Sequence, residues 1–339
     1  LPARRFVHTT TGEIAAMATS LRGLGAAATG SATQHLALVL NDNAGAVLAG
    51  AATPDLMREK LQGGDFTIVD TPPGRLPDRL RHAAAAADTV VVAGGDGTVA
   101  CAAAVLAGTD RTLGILPCGT MNLLARDLAL PLDNLDAAAQ IILQGHTRDI
   151  DVGMAGGNTF LCACMLGSPV RLGRHREQAR RHGRLGQWLQ FARAALLVLR
   201  RPRRMRLQLE VDGQVHTLRT ESLTITLGAL TDECSRMFGR DVLDEGKLTA
   251  YAVRKRGAFG MLRVFWRMAQ GRPKDPALTV LKGEHISINA AAGKLHVMVD
   301  GEVELLATPV QFTVRPRALR VLAPPGRITP RLETPSGAP

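Results

Sequence analysis

The sequence predicts an α/β chain in two parts. A doubly wound parallel sheet covered by helices occupies residues 34–146, and a mostly antiparallel, β-rich half occupies 147–306. Three observations carry this prediction. Apolar runs at 36–40, 66–69, 89–93 and 113–116 alternate with helical stretches near 46–62, 76–87 and 98–107, the rhythm of parallel strands joined by covering helices. After Gly145 the rhythm changes to short β-rich runs at 147–153, 158–164, 205–211, 214–219, 222–228, 247–253, 285–289, 295–299 and 310–314. Aromatic residues make up only 3% of a chain that is 46% hydrophobic, so its cores are built from Ala, Val, Leu and Ile, which suits strands buried on both faces. A length of 339 residues favours about two domains. Residues 1–33 read as a mobile or weakly helical extension, and 326–339 as a loose, Pro-rich tail.

Taken in order, the first strand, Leu36–Leu40, runs into a turn, Asn41–Gly45. Pro54 either starts a new helix or kinks the one before it. The second strand, FTIVD, is followed at once by Thr71. The third is the most informative segment: TVVVAGGDGTVA is an apolar β-branched run that stops at Gly94-Gly95-Asp96-Gly97-Thr98 and turns into an alanine-rich helix. Three glycines remove the Cβ atoms that would hold an anion away from the backbone, and a helix N-terminus supplies unpaired N–H groups. Such a turn is a phosphate cradle, although a Gly-rich β-to-α turn without a ligand has the same local pattern.

Two common phosphate-binding classes are excluded. Gly95-x-Gly97-x-x-Ala100 fits a dinucleotide fingerprint, but the next strand ends in Leu116-Pro-Cys-Gly-Thr120 and not in the acid that would hold a ribose. No GxxxxGK[ST] run occurs. The strand at 113–116 instead leads into PCGTMNLLAR, which sets Thr120 and Asn122 just ahead of a helix carrying Arg126. Loops at the carboxyl ends of neighbouring parallel strands share one crevice, so Asp96, Thr98, Thr120 and Asn122 converge on one ligand.

GGDGT together with PxGTxNxxAR resembles the diacylglycerol kinase catalytic family of lipid kinases. The likeness spans about residues 35–325: LALVLNDNAG is similar to the family's first strand and turn with Asp42 in the usual proline position, Asp244-Glu-Gly-Lys-Leu248 resembles a D-D-G-x-L turn, and Asp300-Gly-Glu302 a D-G-E. Arg148–Gly153 and Phe160–Gly167 match the entry to the second domain. The chain departs from the pattern at Ala100-Cys101, where Asn-Glu is frequent, and at Gly228-Ala229, where polar residues are common.

The resemblance implies that the chain's end, about 307–325, returns to the first domain, with the active site in the cleft between the two. It implies ATP and Mg²⁺ as cofactors and a lipid hydroxyl as acceptor. The nucleotide would be held by Asn41, Thr71, Gly94, Gly95, Asp96, Gly97, Thr98, Thr120 and Asn122, with Asp96 handling the metal and Asp300 and Asp244 as further metal ligands. Glu302 takes the role of general base. On turn chemistry alone, Asp300-Gly301 is a hairpin turn between 295–299 and 303–306. NAD kinase, which shares GGDGT, is the nearest enzymatic rival, and a nucleotide-sensing or nucleic-acid-binding protein of the same fold is the non-catalytic one.

The charge is uneven. Residues 171–206 carry twelve arginines against Glu177 alone, a net of +11 that equals the excess of the whole chain. Within the segment Leu185, Trp188, Leu189, Ala192, Leu196 and Leu199 recur at helical spacing, and a basic, Trp-bearing amphipathic stretch suits an anionic membrane surface. The arginines could serve nucleic acid instead, but no RNP, zinc-finger or helix-turn-helix signature accompanies them, and one Tyr and two Trp leave little for base stacking. No run of 18 apolar residues occurs. Five cysteines without a CxxC pair argue against a disulfide framework, and Cys162 and Cys164 read as core thiols. The expected location is therefore cytoplasmic, at the inner face of the membrane.

Overall fold

The computed structural model describes residues 34–41, 53–62, 66–69, 71–179, 204–231, 239–253 and 278–325. The N-terminal extension, the turn and first part of the helical stretch at 42–52, the apolar centre of the basic segment at 180–203 and the tail from 326 lie outside the described residues.

The first half is built from β1 (Gln34–Leu40), α1 (Pro54–Lys60), β2 (Phe66–Val69), α2 (Leu76–Ala86), β3 (Thr89–Gly94), α3 (Asp96–Leu106), β4 (Thr112–Pro117), α4 (Leu123–Asp127) and α5 (Leu135–Gln144). Pro54 starts a helix: it stands in the first turn of α1, where its missing N–H costs nothing, and the Thr53 hydroxyl accepts from Leu56 N. Asn134 caps α5 in the same way, and Gly145 at φ +69° ends it. The strands lie in the order β2-β1-β3-β4, all parallel. Val90, Val91 and Val92 of β3 are fully buried because helices cover both faces. Leu80, Ala103 and Leu106 pack on one face, and Met57, Ala138 and Ile142 on the other. Fully burying a side chain such as Leu36 stabilises the fold by about 1.5–3 kcal/mol.

The second half contains β5 (Thr147–Ala155), β6 (Asn158–Phe160), β7 (Ala163–Gly167), α6 (Ser168–Ala179), β8 (Met205–Val211), β9 (Gln214–Thr220), β10 (Ser222–Leu227), β11 (Leu248–Val253), β12 (Leu278–Gly283), β13 (His285–Asn289), β14 (Lys294–Val299), β15 (Glu302–Ala307) and β16 (Val310–Leu322). Its strands divide between two sheets. One is an antiparallel sheet ordered β12-β11-β10-β7-β14-β15, and the other extends the parallel sheet through β4-β16-β13-β8-β9. Phe160, Ile225, Ile286, Val297 and Phe312 pack together as the core of this half.

Three elements differ from the sequence expectation. The run at 158–164 is broken at Leu161-Cys162, where the backbone turns its N–H groups to a carboxylate. The strand expected at 310–314 continues to 322, past an irregularity between Arg315 and Leu319 with Arg317 at φ +48°. Pro316 and its arginine neighbours interrupt the apolar alternation there, which hides the continuation. The strand β12 lies at a sheet edge, and its weakly buried residues leave little periodic signal.

Candidate active site

The strand order reverses between β1 and β3, since β1 leads outward to β2 and β3 leads the other way to β4. In an open parallel sheet that reversal opens a crevice at the strand carboxyl ends. Asn41 leaves β1 there: its N–H donates to Ala93 O at 3.0 Å and its side-chain amide to Thr98 Oγ1 at 2.7 Å. The glycines allow close packing here. A Cβ on Gly94 would fall 2.3 Å from Thr98 Oγ1, and the Gly119 position is closed by Gly95 Cα at 2.4 Å, so backbone meets backbone between the GGDGT and PxGT loops. Cys118 N–H, donating to Gly94 O, ties the same two loops.

Gly95 caps α3, and Thr98 N–H donates back to Gly95 O at 2.9 Å. The amide of Thr98 is thus taken up within the helix, and the first two helical amides, those of Asp96 and Gly97, are the ones without an intrahelical acceptor. Asp96 in this first turn is favoured by the helix dipole. Its Oδ1 accepts from Leu123 N at 2.6 Å, which fixes α4 to the loop.

Asn122 is engaged within its own loop. At φ +48° it accepts from Gly119 N at 3.0 Å and donates to Gly119 O at 2.9 Å, so its amide closes the PxGT turn from within. Thr120 is exposed at the mouth of that turn, and Thr71 donates to Leu38 O at 3.4 Å at the end of β1. Arg126 is exposed on α4.

The second half brings its carboxylates across. Asp300 and Gly301, at φ +42° and +95°, are the central residues of the β14–β15 hairpin, as the Asp-Gly pair predicts. The Asp300 side chain accepts from Leu161 N at 2.6 Å and from Cys162 N and Ala163 N at 3.0 Å each. Burial pushes its carboxyl above the ordinary range against the pull of these three N–H groups. Two residues on, Glu302 Oε1 lies 3.7 Å from where a Cβ on Gly97 would stand. Asp96 and Asp300 line one pocket with Val99, Leu123, Leu124, Leu161 and Cys162.

Asp96, Asp300 and Asp244 do not assemble into a metal cage, and among the described residues no group of three His, Cys, Asp or Glu could hold a metal ion. Asp300 is engaged by backbone amides, and Asp244 stands beside Arg148 and Arg317 at 4.0 and 3.6 Å. Of the three, only Asp96 lies in the glycine-rich loop, at the start of α3 with its Oδ1 accepting from Leu123 N.

Sequence reasoning missed a buried ion pair. Arg240 and Asp127 side chains are each 3% exposed and 2.6 Å apart. Burial disfavours the charged guanidinium, but Asp127 beside it reverses the balance and Arg240 titrates above its ordinary value. Separated by 113 positions, the two give no periodic or motif signal. Cys101, in the position where the family often has an acid, is pushed up to about 11 by burial, so a neutral thiol stands near Glu302. Cys164 is a buried core thiol as expected, and Cys162, half-buried in the break between β6 and β7, packs against the core of the parallel half.

A glycine-rich turn at the switch point of a parallel sheet, with a carboxylate of the β-rich second half beside it, is an arrangement suited to phosphoryl transfer. Residues 35–155 match the diacylglycerol kinase catalytic domain, and residues 168–323 match the YegS C-terminal NAD kinase beta sandwich-like domain. A diacylglycerol kinase of Mycobacterium tuberculosis is 30% identical over 298 residues, covering 81% of this chain and 90% of that one. One of Bacillus subtilis is 26% identical over 240 residues, covering 70% and 78%. A crystal structure of a putative diacylglycerol kinase from Bacillus anthracis superposes with a TM-score of 0.65 at 22% identity, covering 86% of this chain and 98% of the other, and so shares the fold. The chain belongs to the diacylglycerol kinase family and is an enzyme.

Proposed function

We propose that this enzyme transfers the γ-phosphoryl group of ATP to the hydroxyl of a lipid, with diacylglycerol as the acceptor. The observation that carries the reading is the position of Glu302, whose carboxylate stands over Gly97 of the phosphate cradle. The nucleotide phosphates would lie against the amides of Asp96 and Gly97, with Asn41, Thr71 and Thr120 at the rim. Glu302, exposed to the cleft, would take the proton of the acceptor hydroxyl as it attacks. Mg²⁺, held at Asp96 and the phosphates, would supply neutralisation of the charge that develops on the transferred group. Asp300 orients Glu302 through the hairpin and is not itself a ligand in this reading.

Relatives that are named diacylglycerol kinases along most of their length support the acceptor class. Among the described residues no helix is long and apolar enough to cross a membrane. The basic segment at 171–206 would instead dock the enzyme on an anionic membrane surface, at the cytoplasmic face, where its substrate resides.

The test is transfer of labelled γ-phosphate in mixed micelles containing diacylglycerol or whole lipid extract, with NAD as a parallel acceptor. Label in diacylglycerol that is lost in Glu302→Gln and Asp96→Asn is the expected result. Label in NAD alone overturns the acceptor, and label in no acceptor overturns the kinase.

A further inference from the structure

Arg240 joins three segments that sequence keeps far apart. Its backbone N–H donates to Asp127 Oδ1 at 3.0 Å and its Nε to Asp127 Oδ2 at 2.8 Å. On its other side Nη1 donates to Leu161 O at 2.7 Å and to Leu227 O at 3.3 Å, while Nη2 reaches Cys162 Sγ at 3.8 Å. The planar five-donor fork of Arg is what permits one side chain to hold a carboxylate and two carbonyls at once.

These contacts form part of a closed circuit. Asp96 of the cradle holds Leu123 N at the start of α4, and α4 ends in Asp127. Asp127 holds Arg240, and Arg240 holds the Leu161 carbonyl. The N–H groups of Leu161, Cys162 and Ala163 hold Asp300, and the hairpin from Asp300 returns Glu302 to Gly97. Arg240 is the member of this circuit that spans from the nucleotide-binding half to the half bearing Glu302.

We propose that Arg240, with Asp127, is a positioning residue that sets the height of Glu302 over the phosphate cradle. The proposal rests on the kinase reading above. A buried ion pair is weak evidence for stability, because apolar residues of similar volume often replace one at no cost. Its value here is geometric: beside the β4–β16 pairing, one guanidinium ties the segment beneath Asp300 to the end of α4, and a shift of about 1 Å in a reacting group can cost roughly 100-fold in rate.

The experiment compares Arg240→Met, Arg240→Lys and the double variant Asp127→Leu/Arg240→Met with the wild type. Urea midpoint, kcat and KM for ATP, and hydrogen exchange of the peptide containing Leu161–Ala163 are measured on each. In the double variant the midpoint should return to the wild-type value. Its kcat should stay about 100-fold down, with KM for ATP within about threefold. The 161–163 amides should exchange at least about tenfold faster, because Asp300 loses its fixed platform. Arg240→Lys keeps the charge without the fork and should fall between.

A double variant with wild-type kcat and wild-type protection overturns the proposal and leaves the pair a folding contact. Should neither Met variant fold, Arg240→Lys decides: wild-type turnover and protection there overturn it equally. If the wild type phosphorylates no lipid, the kinase reading falls, and the exchange measurement still reports whether Arg240 holds the segment beneath Asp300.

Discussion

Glu302 Oε1 stands 3.7 Å from the point a Cβ on Gly97 would occupy, a distance of ordinary contact and not of collision. The fold can therefore accept a methyl group at this position. Gly97 lies in the first turn of α3, so Gly97→Ala should stabilise the protein, by up to about 1 kcal/mol on helix propensity. On the proposed reading the same methyl group would intrude where phosphate meets backbone, and kcat/KM for ATP should fall by about 10-fold or more. Thermal melts and steady-state kinetics on one preparation check both signs.

Gly119→Ala should behave in the opposite way. Its Cβ would lie 2.4 Å from Gly95 Cα and 2.6 Å from Asn122 Oδ1, so two backbone turns must separate. Overpacking of this kind costs about 1–3 kcal/mol. Urea unfolding should show that loss, and activity should fall with it.

Asp96→Asn should fold normally, because the amide oxygen can still accept from Leu123 N. Its charge is gone, and kcat should drop by roughly 100-fold or more while the unfolding free energy from urea titration changes by less than about 1 kcal/mol. Asp96→Ala also removes the link to α4 and should lose stability as well.

Asp300 predicts a pH dependence. Its native carboxyl titrates above the ordinary value because it is buried, so the folded state holds this proton more tightly than the unfolded chain. The stabilising contribution is complete below the unfolded pKa of about 3.9 and is lost as pH rises through the native value. Asp300→Asn lacks this titration. The stability of the wild type minus that of the variant should therefore grow as pH falls from 7 to 4, while other carboxylates cancel. A difference that stays constant, or shrinks, contradicts the assignment. At neutral pH the variant should still be weaker by about 1–3 kcal/mol, since the amide NH₂ cannot accept from the backbone N–H groups that Asp300 satisfies.

The parallel half was legible because each of its strands ends in chemistry as well as in a change of period. GGDGT and PCGT mark the carboxyl ends of β3 and β4, and the alternation with helices fixes the layer order. Glu302 was legible through Asp300-Gly301, whose turn preference places it at the start of β15. Asn122 was visible as part of its motif but its contacts were not, because only the structure shows both polar atoms returning to Gly119. Arg240 and Asp127 were invisible for a physical reason. Their pairing depends on the loop before β11 folding back on the end of α4, and isolated charged residues look the same in sequence whether solvated or buried.

The strand β16 comes last among the described elements, yet it pairs with β4 of the parallel half and with β5 and β13 beyond it. The two halves are thus not beads on a string. During synthesis β4 lacks this neighbour until Arg320 and Val321 have emerged from the ribosome, so the sheet of the first half is completed only after both halves are translated. A product cut short before β16 would lose the frame of the first half as surely as that of the second, and fragments of this kinase should be silent instead of half active.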